Sequence, residues 1–241
     1  MTRVDQDGRA SAPADPGRPH LQTGYVRGMS DRDVLLTLRE LAGTTYAESA
    51  GIRLRDTPAP LYRLLVLAVL LSTRIRADLA VEAARELVDA GMGTPDKMAA
   101  ASWQQRVDAL SRAHYRRYDE STATALGEGA ELVRSEYRGD LRRLRAKADG
   151  DPAAVRELLK AFPRLGPVGA DIFCREAQLV WPELRPALDG KVLDGARRLD
   201  LPSDAEKLAA LVPGDELAVT AAALVRVALD EDLAQRVLRE R

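Results

Sequence analysis

Cysteine occurs once in the 241 residues, as Cys174. A lone thiol excludes an intramolecular disulfide framework, and a four-cysteine iron–sulfur cluster has no ligand set here, so no such cofactor is expected. Histidine is almost as scarce. His20 and His114 lie far apart, which argues against a zinc site of the usual His/Cys type. Charge of one sign is also missing: 36 Lys and Arg stand against 37 Asp and Glu, a formal net charge of -1. Without a global basic field, any contact with a nucleic acid has to come from a local patch. Long apolar runs are absent too. The longest, LLVLAVLL at residues 64–71, is far short of the ~20 residues of a membrane helix, so no membrane partner is expected. Residues 1–27 carry Gly, Pro, Asp and Arg but no apolar signal core, and read as a disordered tail on a cytoplasmic protein.

What is present is helix signal, with almost no strand signal. Ser30 and Asp33 form a capping box ahead of Val34, Leu35, Leu38 and Leu41. Residues 43–60 read as loop, and Pro60 suits the first turn of an apolar helix through Leu71. That helix is apolar on nearly all sides, which predicts a central, buried position. ADLAVEAARELVDAG reads as an amphipathic helix stopped at Gly91, and Ser102 with Gln105 caps another. Further helices are predicted up to Tyr137, from Asp151-Pro152 to near Ala161, from Gly169 to Val180, and from about Gly190 to Leu199. Ser203 with Glu206 is read as the cap of another, and Asp215 to Leu229 as the last apolar one. The pattern predicts an all-α protein.

One interruption carries more than punctuation. In FPRLGPVGAD, residues 162–171, Pro163, Gly166, Pro167 and Gly169 forbid a continuous helix. Backbone N–H groups at Gly166, Val168 and Gly169, at the start of a new helix, suit a phosphate bound without regard to sequence. An ordinary tight turn between two helices accounts for the same composition.

The stretch L-x-x-F-P-R-L-G-P-V-G-A-x-x-F resembles the helix-hairpin-helix element, approximately L-P-G-V-G-x-K-T-A, of the endonuclease III-like (HhH-GPD) DNA glycosylases. About twenty residues on, ALDGKVLDGARRLDL is similar to that family's V-D-T-H-V-x-R-V-x-x-R-L segment, with Asp189 on its catalytic aspartate and Arg198-Leu199 on the closing pair. Upstream, YRLLVLAVLLSTR looks like its L-L-S-x-Q helix, and HYRRYDESTATAL stands where the family has G-x-Y/F-x-x-K-A. The resemblance implies a two-lobed helical fold. Residues 61–181 would form one lobe ending in the hairpin, and residues 28–60 with 182–241 the other.

It also implies chemistry. A base inside a duplex must be flipped out before it can be attacked. Arg164, Leu165, Gly166, Val168 and Gly169 would grip a phosphate. Asp189 would stabilise the sugar cation or activate a water, though a plain N-cap explains that aspartate equally well. The lysine nucleophile of bifunctional members is set against Val168, which forms no Schiff base, so no lyase step is expected. Lys191 stands where the family commonly has His, and Arg74 on the glutamine that fills the gap left by the flipped base. Arg116 and Arg117, with Arg112 and the run from Arg138 to Lys147, are candidate phosphate contacts, and HYRRY offers rings for stacking. Trp103 and Trp181 are assigned to packing. The implied partner is double-stranded DNA carrying a lesion or mismatch. A DNA-binding relative without catalysis, and a helical interaction protein without nucleic acid, stay open as readings.

Overall fold

The computed structural model describes residues 29–240, so the tail expected at residues 1–27, with His20, lies outside them. No strand occurs among the described residues. The chain begins with α1 (Asp31–Ala42), α2 (Tyr46–Ser49) and α3 (Pro58–Leu71), then α4 (Ala77–Asp89), α5 (Pro95–Ala100) and α6 (Trp103–Arg112). Next come α7 (Asp119–Tyr137), α8 (Arg142–Lys147), α9 (Pro152–Leu159) and α10 (Gly166–Ala177). After a 3-10 turn at Pro182–Leu184 follow α11 (Gly190–Arg198), α12 (Ala205–Ala209), α13 (Leu217–Leu229) and α14 (Glu231–Arg239).

Two apolar helices organise the packing. In α3, Leu61, Leu64, Leu67, Ala68 and Leu70 are wholly buried, and each such leucine contributes roughly 1.5–3 kcal/mol relative to an exposed one. Pro58 opens that helix, where its missing N–H costs no hydrogen bond. Neither α3 nor any other helix among the described residues is long and apolar enough to cross a membrane. The second apolar helix, α13, is flanked by α1, α11 and α14. Its contact with α11 is close enough that a Cβ built on Gly195 would lie 2.0 Å from the Leu224 carbonyl oxygen, so only glycine fits there. Helix α10 packs against α3, α9 and α13 alike, and one continuous core runs through all of them.

Several boundaries differ from the sequence reading, each for a local reason. Residues 43–60 are not all loop, because Thr45 and Glu48 make a capping box that starts α2. Helix α10 begins at Gly166 rather than Gly169, since Pro167 fits a first turn whose N–H groups have no intrahelical partner. Asp204, not Ser203, caps α12 by accepting from the Lys207 N–H. The last helix is not α13 but α14, capped by Asp230 and amphipathic enough to bury Leu233, Ala234 and Val237. Trp181 is buried as expected, its Nε1 donating to Asp56 Oδ1 at 2.9 Å. Trp103 is not core: it is exposed, its Nε1 donating to Thr124 Oγ1 at 3.1 Å.

Candidate active site and hairpin

Helices α9 and α10 are joined by a turn in which Arg164 adopts a left-handed backbone conformation, φ 63°. Leu165 is wholly buried and pins the turn to the core. A Cβ on Gly169 would meet Leu165 Cδ1 at 2.7 Å, so this glycine serves the packing of the turn and does not face outward. The Leu165 N–H is turned back to the Phe162 carbonyl at 3.1 Å, and α10 has no side-chain cap. Helix geometry therefore leaves the N–H groups of Gly166 and Val168 for an outside acceptor, with Pro167 between them offering none. Both residues are exposed.

Two other turns meet this one. Ser72 Oγ donates to the Val69 carbonyl at 2.8 Å and lies 3.4 Å from the Arg164 carbonyl, and Arg74, two residues on, is exposed. From the first turn of α7, Ser121 Oγ accepts from Arg164 Nη1 at 3.0 Å. The Tyr118 ring has two cations near it, Arg117 at 5.3 Å and Arg164 at 5.8 Å from its centre. Arg116 is exposed on the α6–α7 turn. Tyr115 is buried in the core and offers no ring for stacking. The remaining basic candidates are largely engaged elsewhere. Arg112 pairs with Glu86 at 2.6 Å and Arg142 with Asp140 at 2.7 Å. Arg145 is bound to Glu183 and Asp56 and lies over the Trp181 ring.

Asp189 is the N-cap of α11. Its Oδ1 accepts from the N–H groups of Lys191 at 2.8 Å and Val192 at 3.1 Å. Its Oδ2 accepts from Arg175 Nη1 in a pair whose side chains are only 4% (Arg175) and 11% (Asp189) exposed. The segment leading to Asp189 is fixed by Gln178, which donates from Nε2 to the Ala187 carbonyl at 3.1 Å and accepts from the Ala187 N–H at 3.0 Å. Next to Arg175, the buried Glu176 accepts from the N–H groups of Tyr46 and Ala47 and so holds α2 against α10. Burial pushes the Glu176 carboxyl above the ordinary glutamate range, against the pull of Arg175 and those two N–H donors.

Between α3, α10, α11 and α13 lies a cavity of about 410 Å³. One face of α10 supplies Val168, Asp171, Ile172 and Arg175, at the three- and four-residue spacing of a helical stripe. Asp189 and Lys191 enter from α11, and Tyr46, Leu71, Ile75, Val225 and Leu229 form the apolar remainder. Val168, 64% exposed, sits at the rim. Lys191 also reaches the cavity, but its Nζ donates to Asp194 Oδ2 at 3.2 Å. Asp171 accepts on Oδ1 from Arg156 Nε at 3.0 Å. Among the described residues no group of three or more His, Cys, Asp or Glu side chains is placed to hold a metal ion.

Sequence reasoning missed Asp171 and Arg175. Counted residue by residue, the L-P-G-V-G-x-K pattern sets its valine on Val168 and its lysine on Asp171. The lysine position therefore belongs to Asp171, one helical turn further along α10. Aspartate forms no Schiff base either, so the expectation about lyase chemistry does not change. Arg175 had no local signal, because its partner is fourteen residues away across the turn at 182–184.

A scan against family models and a search of curated proteins found no match. Among solved structures, a trapped endonuclease III–DNA covalent intermediate in an estranged-adenine complex is similar, at 16% identity and TM-score 0.51, over 82% of this chain and 85% of that one. At that identity the likeness concerns the fold: the chain has the all-α, endonuclease III-like architecture.

Proposed function

We propose that this chain is a monofunctional DNA repair glycosylase that flips a damaged or mispaired base and hydrolyses its N-glycosidic bond. One observation carries the reading: Asp189 opens onto the same cavity as the helix whose N-terminus carries the hairpin donors. In this reading the Gly166 and Val168 N–H groups take one phosphate oxygen, assisted by the dipole of α10. Arg164, Arg116 and Arg117 line up further phosphates, and Arg74 reaches toward the place the flipped base leaves. The cavity, at about 410 Å³, falls in the size range of roughly 300–1,000 Å³ for small-ligand pockets and receives the flipped nucleotide. The fixed carboxylate of Asp189 then faces the positive charge that grows on the sugar as the bond to the base breaks.

The cavity lining supports monofunctional chemistry. Its one primary amine, Lys191 Nζ, is bound to Asp194, and the lysine position of the related pattern holds Asp171. Water is then the nucleophile, and the product is an intact abasic site.

The test is a panel of lesion and mismatch duplexes treated with enzyme and then hot alkali, which breaks the strand at abasic sites. Excision of at least one base, abolished in Asp189→Asn with duplex binding kept, is the expected result. Survival of activity in that variant would sink the role of Asp189. Covalent capture by borohydride would sink the monofunctional assignment. A second reading, duplex binding without excision, is favoured by the three donors that already engage Asp189. It predicts salt-sensitive binding and no strand break with any duplex of the panel.

A further inference from the structure

We propose that Asp171 is a second catalytic carboxylate, the group that takes the proton of the attacking water, while Asp189 faces the sugar cation. This rests on the glycosylase reading above. The two side chains reach one cavity from different helices, and their engagement differs. Asp189 has both oxygens occupied, one by two backbone donors and the other by Arg175. Its geometry suits a charge held still. A water approaching it would compete with three donors already in place.

Asp171 is engaged on one oxygen only. Arg156 Nε donates to Oδ1, and Arg156 is itself steadied by donation from Nη1 to the Pro152 carbonyl at 3.2 Å. No hydrogen bond to Oδ2 is found among the described residues, and the side chain is 39% exposed at the cavity. A general base needs an oriented group with a lone pair that a water can reach. Of the other ionisable groups lining the cavity, Tyr46 is a phenol that burial holds in its protonated form, Arg175 has no acceptor, and Lys191 is an ammonium bound to Asp194. Asp171 is the group that meets the requirement.

The step balances with one water. An O–H bond of the water breaks and its proton passes to Asp171 Oδ2, while the oxygen forms a bond to C1′. The C1′–N bond breaks with its electron pair leaving on the base nitrogen, which takes a proton from solvent or from the acid form of Asp171. No electron donor or acceptor is needed. Paired carboxyl groups also serve one glycosidic bond in sugar hydrolysis, where one activates the water and the other protonates the leaving group; here the second carboxylate faces the cation instead.

The experiment compares wild type, Asp171→Asn and Arg156→Gln in single-turnover excision, using whichever lesion duplex the wild type cleaves. Affinity for a duplex with a stable abasic-site analogue is measured alongside. Asp171→Asn should slow excision by at least ~100-fold, with affinity held within about twofold, as expected for loss of a general base. Arg156→Gln removes the same ion pair but keeps the carboxylate, and should lie within about tenfold of wild type, a loss set by positioning alone. Equal losses in the two variants would assign Asp171 to the ion pair and overturn the proposal. So would an Asp171→Asn rate close to that of wild type. Absence of excision by the wild type itself overturns the glycosylase reading, and this assignment with it.

Discussion

Replacing Arg175 by leucine removes one partner of the most deeply buried ion pair on α10. The guanidinium and the Asp189 carboxylate are 4% and 11% exposed, so solvent screens them little. Leucine fills much of the space but leaves Asp189 Oδ2 without its donor, while Oδ1 keeps its two N–H partners. Breaking a buried pair from one side costs about 3–5 kcal/mol, because the remaining charge stays out of water. For a chain of this size each kcal/mol lowers the midpoint by about 2–4 °C, so a drop of roughly 6–20 °C is expected in thermal unfolding followed by circular dichroism. The double variant Arg175→Leu/Asp189→Asn removes the stranded charge and should recover a large part of the loss. A single-variant effect below about 1 kcal/mol, the size of an exposed pair, would refute the reasoning. So would a double variant less stable than the single one, since the cost would then lie in packing and not in charge.

Gly195→Ala places a Cβ 2.0 Å from a backbone oxygen of α13, which no rotamer change relieves. A loss of about 1–3 kcal/mol is expected in urea unfolding, as for other overpacked contacts, and an unchanged midpoint would show that the two helices can part freely. Glu176 provides a pH test. Burial raises its pKa in the folded protein, so the folded state holds that proton more tightly than the unfolded one. Its contribution is therefore fully present below the ordinary glutamate pKa and is lost as pH rises through the raised folded value. Measured as midpoint against pH, wild type should lose ground to Glu176→Gln on going from acid toward neutral. A constant difference between the two would show that Glu176 does not titrate in that window.

The helical class and most helix positions are legible in the sequence because their causes are local. Ser30 with Asp33 and Ser102 with Gln105 are capping boxes in the structure as in the sequence. The apolar stretch ending at Leu71 is buried because it has no polar face to turn outward. Thr45 and Glu48 carry the same signal, yet α2 spans only four residues and has no periodicity to announce it. In α14 the polar start Glu231-Asp232 hides a stripe of three buried residues. At the site, Asp189 is legible as an N-cap, since its Oδ1 partners lie two and three residues on. Arg175 and Glu176 are not. Two charged residues in a helix read as surface, and only the fold supplies the long-range partners that bury them.

Helix α10 carries uncapped N–H donors at one end and the clamp on Asp189 nearer the other. Gly166 and Arg175 stand nine positions apart, a span of roughly 13–14 Å along a rigid rod. In the proposed function the helix would act as a caliper, fixing how far from a phosphate held at the hairpin the carboxylate stands. Its tolerance is small: one residue inserted between Val168 and Arg175 would turn the arginine by about 100° and advance it 1.5 Å, off the stripe that faces the cavity. The length of this helix is therefore as much a part of the site as any side chain on it, and length variation should be confined to the turns that α10 joins.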